Sequence, residues 1–246
     1  PTAMEQLASR ASLIVTVDCG TNSAAAIAAA RAAGADVLVL DHHQVAGALP
    51  EGVALVNPNR EDDLSGLGYL CAAGVVFMTL GETARLLREK GGFPAPDLMS
   101  MLDLVALATV CDVVPLTGLN RAFVVSGLKV ARQFDNKGLE ALAKVARIGE
   151  PLNPFHFGFL IGPRINAGGR IGDAALGARL LTLHDINEAE AIALELDRLN
   201  AERQAMEKLM LEEAEAEVAA ELAVGEGPAI ILTAHDKWHP GIVGLL

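Results

Sequence analysis

Leu13-Ile14-Val15-Thr16-Val17-Asp18-Cys19-Gly20, followed by Val37-Leu38-Val39-Leu40-Asp41-His42-His43, is the stretch from which the fold is read. Each half opens with a short run of aliphatic, mostly β-branched residues suited to a buried strand, and each closes on an aspartate. Between them an alanine-rich stretch over 22–33 predicts a helix, with Gly34 placed to end it. Strand, helix and strand in so short a span predict a right-handed βαβ unit with parallel strands. In open parallel sheets, ligands gather beyond the carboxyl ends of the strands. If the two strands are neighbours, Asp18 and Asp41 lie about 4.8 Å apart in the backbone. Two ionised carboxylates that close repel one another unless a cation holds them.

Working outward, 50–68 is a loop region rich in Gly, Pro, Asn and Asp. Helical patterns follow over 69–90, 97–110, 121–134 and 138–147. Five glycines and three prolines between 151 and 172 predict irregular structure there, and a short helix is expected over 173–181. From 186 to 223 there is neither Gly nor Pro, which predicts a long, largely exposed connector helix. After the Gly225–Pro228 break, 229–233 reads as a strand and His239-Pro240-Gly241-Ile242-Val243-Gly244 as the opening of a helix. Because the chain stops at Leu246 inside that element, it is expected to be a piece of a longer protein. The fold class expected is α/β: a parallel sheet flanked by helices, a long connector helix, and the start of a second α/β domain.

Composition narrows the classes. With 52% hydrophobic and 20% charged residues, the chain can bury a sizeable core. No run of about 18 uncharged apolar residues occurs, so no membrane span is expected. The first ten residues lack a basic region followed by an apolar one, so no signal peptide is expected. Cys19, Cys71 and Cys111 show no C-x-x-C spacing, which argues against a disulfide framework or structural zinc and for a reducing cytoplasm. A net charge of −12 argues against broad adhesion to nucleic acid while leaving room for a local basic track.

His42 and His43 add imidazole nitrogens at the edge where Asp18 and Asp41 end their strands. Oxygen and nitrogen donors without thiolate suit Mn²⁺, or Mg²⁺ where oxygen predominates. The plainer alternative makes the two aspartates strand-end turn residues or helix caps. Asp112, at the end of the apolar run 107–111, is a third acidic candidate, and a helix-end carboxylate in a buried turn is an equal alternative for it. Cys19 and Cys111 flank Asp18 and Asp112 and make zinc the competing metal, although both read better as small buried fillers. The segment Gly162-Pro163-Arg164-Ile165-Asn166-Ala167-Gly168-Gly169-Arg170-Ile171-Gly172 combines flexible backbone with two arginines suited to phosphate; taken alone it reads as an ordinary glycine-rich loop. The 239–244 turn could bind an anion at a helix N-terminus, or be a plain turn capped by His239. Trp238 reads as packing more readily than as a base stack, and His156 and His184 read as structural.

Val17-Asp18-Cys19-Gly20, Asp41-His42-His43 and Asp112-Val113-Val114-Pro115-Leu116 resemble, in order and approximate separation, the second, third and fourth motifs of the DHH phosphoesterase superfamily. That resemblance implies that Asp18 bridges two divalent ions, Mn²⁺ or Mg²⁺, that His42 and Asp112 bind one of them, and that His43 lies against the scissile phosphate. Asp41 would orient these groups. The 162–172 segment is similar to the R-I-N-A-x-G-R motif of a branch of single-strand-specific DNA exonucleases, which makes Arg164, Asn166 and Arg170 phosphate contacts. The 239–244 turn resembles the start of that branch's second, DHHA1-type domain, bringing in His239 and Gly241. The implied organisation is a DHH domain over 1–183, incomplete at its beginning, a connector over 184–224, and a truncated second domain over 225–246. The implied activity is 5′ to 3′ hydrolysis of single-stranded DNA in repair and recombination, with single-strand-binding protein and a helicase as partners. The alternatives are a phosphodiesterase for short oligonucleotides or cyclic dinucleotides, and a non-catalytic nucleic-acid-binding scaffold. The family's first motif, H/D-x-D-x-D-G, has no counterpart in 1–13, so the chain as it stands is expected to hold one metal incompletely or weakly, with inactivity an open outcome.

Overall fold

A computed structural model of the protein describes residues 2–91, 94–223 and 231–245. The chain divides into two compact units, Pro1–Arg132 and Gln133–Leu246.

The first unit opens with α1 (Thr2–Ala8), which the sequence did not announce. The strands β1 (Leu13–Val17) and β2 (Asp36–Leu40) flank α2 (Ala24–Ala32), as expected. They pair in parallel with Val17 opposite Leu40, so both chains leave the sheet at the same rim. A third strand, β3 (Ala54–Val56), lies inside the stretch expected to be loop and pairs in parallel with β2. Ile14, Val37 and Val39 pack with Ile27 and Ala30 of α2 to form the core under the sheet. Next come α3 (Ala72–Glu89), a 3-10 turn at Leu98–Met101, α4 (Leu102–Cys111) and α5 (Gly118–Ala131). Leu70, Val75, Leu102, Val105 and Phe123 form a second core there. Helices α4 and α5 approach so closely that a Cβ on Gly127 would stand 2.1 Å from the Leu102 carbonyl oxygen.

The second unit holds α6 (Lys137–Val145), a π-helical segment at His156–Ile161, α7 (Gly162–Ile171), α8 (Ala175–Leu181) and α9 (Ile186–Leu222). The irregular structure expected over 151–172 is therefore corrected: its second half is helical. The glycines there serve close packing rather than a loop. A Cβ on Gly168 would come 2.8 Å from the Asp173 carbonyl oxygen, and one on Gly172 would come 2.8 Å from Leu199 of α9. Pro163 sits where the π-helical segment passes into α7. The long helix was expected to be largely exposed, yet Ala189, Ala193, Leu196, Leu199 and Asn200 are buried. They pack against α6, α7 and α8, and beyond Met210 no described residue of α9 is buried. The expected 1–183 domain thus spans the first unit and part of the second. Of the strand expected over 229–233, residues 229 and 230 lie outside the described residues, and 231–233 carry no regular structure. The helix expected to open at His239 is instead a turn followed by a 3-10 segment, Val243–Leu245.

Candidate metal centre

Beyond the sheet rim each strand delivers an aspartate, and the two are used differently. The Asp18 N–H donates to the Leu40 carbonyl at 3.0 Å, extending the ladder by one residue. Its backbone then turns into the left-handed region, φ 60°. That conformation costs an L-residue about 1–2 kcal/mol, and aspartate is among the residues that tolerate it. The turn leaves the Asp18 carboxylate exposed over the rim. Gly20 completes it with φ +121°; a Cβ there would meet Thr16 Oγ1 at 2.7 Å and Val39 at 2.9 Å, so glycine is demanded by both torsion and space.

Asp41 is buried and saturated with hydrogen bonds. Its Oδ2 accepts the Thr21 N–H at 2.9 Å; its Oδ1 accepts the His42 N–H at 2.8 Å, the His43 N–H at 3.2 Å and His43 Nδ1 at 2.7 Å. Burial alone would raise its pKa, but the hydrogen bonds from Thr21 and His43 outweigh burial and hold the carboxyl well below the usual carboxylate range. Asp41 therefore shapes the loop and orients the histidines. The bond to Asp41 in turn raises the His43 pKa.

His42 is oriented from behind. Its Nδ1 lies 3.0 Å from the Leu70 carbonyl, which can only accept, so Nδ1 is a donor and Nε2 is the nitrogen left to face the site. Nε2 faces Asp18 Oδ1 at 3.2 Å and Asp112 Oδ2 at 3.6 Å. Two carboxylates drawn to one imidazole nitrogen call for a positive charge between them, a proton or a metal ion, and the oxygen and nitrogen donors fit a divalent ion. Asp112 reaches the site as the cap at the carboxyl end of α4. Burial and the neighbouring Asp18 charge keep its carboxyl above the ordinary aspartate range, against the opposing pull of His42. One donor atom each from Asp18, His42 and His43 also lie within 4.8 Å of one another. Burial, reinforced by Asp112, pushes the Cys111 thiol up to about 11; Cys19 is exposed, which corrects the expectation of a buried filler, and its thiol is raised by partial desolvation together with Asp41 and Asp18. The donor set is oxygen and nitrogen, which suits manganese, or magnesium where oxygen predominates.

All five acid and imidazole candidates (Asp18, Asp41, His42, His43, Asp112) thus stand together in the first unit. The five expected phosphate contacts stand in the second. Arg164 donates through Nε to Asp197 at 2.8 Å and through Nη1 to the Leu160 carbonyl at 2.7 Å. Arg170 donates through Nη1 to the Gly241 carbonyl at 3.0 Å, and a Cβ on Gly241 would meet the Arg170 carbonyl oxygen at 2.4 Å. His239 Nδ1 accepts the Gly241 N–H at 3.1 Å, the capping role weighed for it, and Asn166 is exposed. Trp238 donates to Glu213 on α9 at 2.7 Å, and His156 pairs with Glu150 at 3.1 Å.

Sequence reasoning missed the asparagines behind the centre. Asn57 Nδ2 donates to Thr21 Oγ1 at 2.8 Å and to the His43 carbonyl at 2.9 Å. Asn59 Nδ2 donates to the His42 carbonyl at 2.5 Å and the Gly68 carbonyl at 3.1 Å. The visible signal was Asn57-Pro58-Asn59, two amides bracketing a proline in a loop placed directly after the histidines.

Residues 1–109 match the family described as "DHH family, N-terminal domain". The single-stranded-DNA-specific exonuclease RecJ of Salmonella typhimurium is 38% identical over 257 residues, covering 100% of this chain and 44% of that protein. The crystal structure of exonuclease RecJ bound to manganese superposes with a TM-score of 0.84 at 34% identity, covering 99% of this chain and 59% of that one. RecJ of Thermus thermophilus in complex with Mn²⁺ superposes with a TM-score of 0.82 at 33% identity, covering 99% of this chain and 35% of that one. The chain spans less than half the length of the curated relatives it matches.

Proposed function

Because residues 1–109 belong to the DHH family and the chain is homologous to the RecJ exonucleases along its length, we propose that this protein is the metal-binding part of a phosphodiester hydrolase acting on single-stranded DNA from the 5′ end. The observation that carries this reading is His42 Nε2 standing between the carboxylates of Asp18 and Asp112. In it, Asp18, His42 and Asp112 hold Mn²⁺ or Mg²⁺, with two ions in the complete family arrangement. A divalent ion so held supplies Lewis acidity toward a phosphoryl oxygen and makes water a stronger acid. Asp41, ionised and buried, holds His43 through Nδ1 and leaves its opposite nitrogen for the substrate. His43, its pKa raised, donates a hydrogen bond to a non-bridging phosphate oxygen and stabilises charge developing there. Arg164, Asn166, Arg170, His239 and Gly241 remain the candidate phosphate contacts of the second unit. The domain division at 183/184 and 224/225, the cytoplasmic setting, and single-strand-binding protein and a helicase as partners belong to the same reading.

The test is a Mn²⁺ titration of the chain followed calorimetrically, together with digestion of 5′- and 3′-labelled single strands of graded length. Saturable uptake that Asp18→Asn abolishes is the expected result, weak because the first motif has no counterpart in 1–13, with any products released from the 5′ end. A chain that takes up neither Mn²⁺ nor Mg²⁺ would sink the reading. Cleavage confined to strands of a few nucleotides would move the assignment to an oligonucleotide phosphodiesterase.

A further inference from the structure

Three consecutive carbonyls behind the metal centre each accept a hydrogen bond from a different part of the first unit. Gly68 accepts from Asn59 at 3.1 Å, Tyr69 from Asn120 at 2.7 Å, and Leu70 from His42 Nδ1 at 3.0 Å. The second bond of the Asn120 amide runs to the Pro115 carbonyl at 2.9 Å, three residues beyond Asp112. Asn120 is fully buried on the first turn of α5, and its own Oδ1 has no partner. An orphaned buried acceptor is destabilising, and an aliphatic side chain would fill the same space without it. What asparagine contributes here is a pair of N–H donors. The adjacent Leu119 N–H donates to Tyr69 Oη at 3.2 Å, so the start of α5 grips Tyr69 at both its hydroxyl and its carbonyl.

We propose that Asn120 is a positioning residue that ties the His42 arm and the Asp112 arm of the metal centre into one geometry, an inference resting on the metal-hydrolase reading above. Through Tyr69 it holds the neighbouring Leu70 carbonyl where His42 Nδ1 must leave its proton, which keeps Nε2 free as a donor to the ion. Through Pro115 it fixes the strand of chain that follows Asp112. Neither contact touches the ion or a substrate.

The experiment compares the parent chain with Asn120→Ala, the milder Asn120→Ser (one donor in place of two) and Val124→Ala, a buried truncation in the same helix away from the three carbonyls. Two readouts are taken: Mn²⁺ affinity by electron paramagnetic resonance, and the His42 tautomer from ¹⁵N shifts of its imidazole without metal. Asn120→Ala is expected to weaken Mn²⁺ binding roughly tenfold, as loss of a ligand's supporting partner does. It is also expected to turn a single Nδ1–H tautomer into a mixture. Asn120→Ser should fall between it and the parent, and it decides the matter if the alanine variant does not fold. Val124→Ala should lose stability and leave both readouts unchanged. Unchanged affinity and tautomer in the Asn120 variants, or an equal loss in Val124→Ala, would overturn the proposal. A parent that binds no Mn²⁺ refutes the metal reading instead, and the tautomer comparison then decides the role of Asn120 by itself.

Discussion

Two adjacent histidines end in opposite situations because their Nδ1 atoms face different acceptors. His42 donates a hydrogen bond from Nδ1 to a neutral carbonyl, Leu70, which leaves Nε2 as the nitrogen that can ligate. His43 is bonded to an ionised carboxylate, Asp41, which favours its protonated form and suits it to meet a phosphate rather than a cation. The difference is testable at the level of single atoms. His42→Ala is expected to abolish saturable Mn²⁺ uptake. His43→Ala is expected to keep that affinity within a few-fold while lowering the rate of single-strand hydrolysis by about 10²–10³, the usual worth of a donor aimed at developing charge. Calorimetry and single-turnover digestion separate the two. Should His43→Ala lose the metal as completely as His42→Ala, its nitrogen belongs among the ligands, as its proximity to Asp18 and His42 allows.

At the scale of elements, the centre depends on how α4 delivers Asp112, and α4 is set by its packing on α5. Gly127→Ala would push a methyl group into the Leu102 backbone at the start of α4. The backbone on that side cannot rotate away as a side chain can, so the helices must separate. We expect a loss of about 1–3 kcal/mol in denaturant unfolding and, because Asp112 caps the far end of the displaced helix, weaker Mn²⁺ binding in the variant that still folds. An unchanged midpoint would mean that the helices have more room than their backbones suggest. The same packing explains what the sequence could and could not convey. Strands β1 and β2, and with them Asp18, Asp41, His42 and His43, were legible because an aliphatic run ending in an acidic residue is a local signal with a local cause. Asp112 was legible only in part: at the end of an apolar helix it read equally as a helix-end carboxylate, and only the motif resemblance assigned it to the site. Strand β3 was not, since three residues between turns carry no period. Helix α7 was hidden because glycine reads as a breaker, whereas Gly168 and Gly172 are there to let backbone and α9 approach. Asn57, Asn59 and Asn120 stayed invisible for a different reason. Their acceptors are mostly main-chain carbonyls, which have no residue identity for a sequence pattern to display.

For the molecule as a whole, charge and metal are coupled. The net charge is −12, and several cations are already matched within their own helices: Arg85 by Glu82 and Glu89, Arg198 by Glu195 and Glu202, Arg203 by Glu207. Meanwhile Asp18 and Asp112 both face His42 Nε2 in the first unit's centre, and the charge of Asp18 opposes ionisation of Asp112. A cation bound there relieves repulsion that exists only in the folded chain, because unfolding separates residues 18, 42 and 112 along the sequence. Binding to the native state alone stabilises it by RT ln(1 + [L]/Kd), about 2.7 kcal/mol at a hundredfold excess over Kd. For a unit the size of Pro1–Arg132, that corresponds to a rise of roughly 10 °C in Tm. Scanning calorimetry with and without Mn²⁺ should find such a shift in a transition that contains the first unit, reversed by chelator. Asp18→Asn should show a higher metal-free Tm than the parent, since it removes one of the repelling charges, together with a much smaller response to Mn²⁺. A variant that responds to Mn²⁺ as strongly as the parent would mean that the ion binds elsewhere.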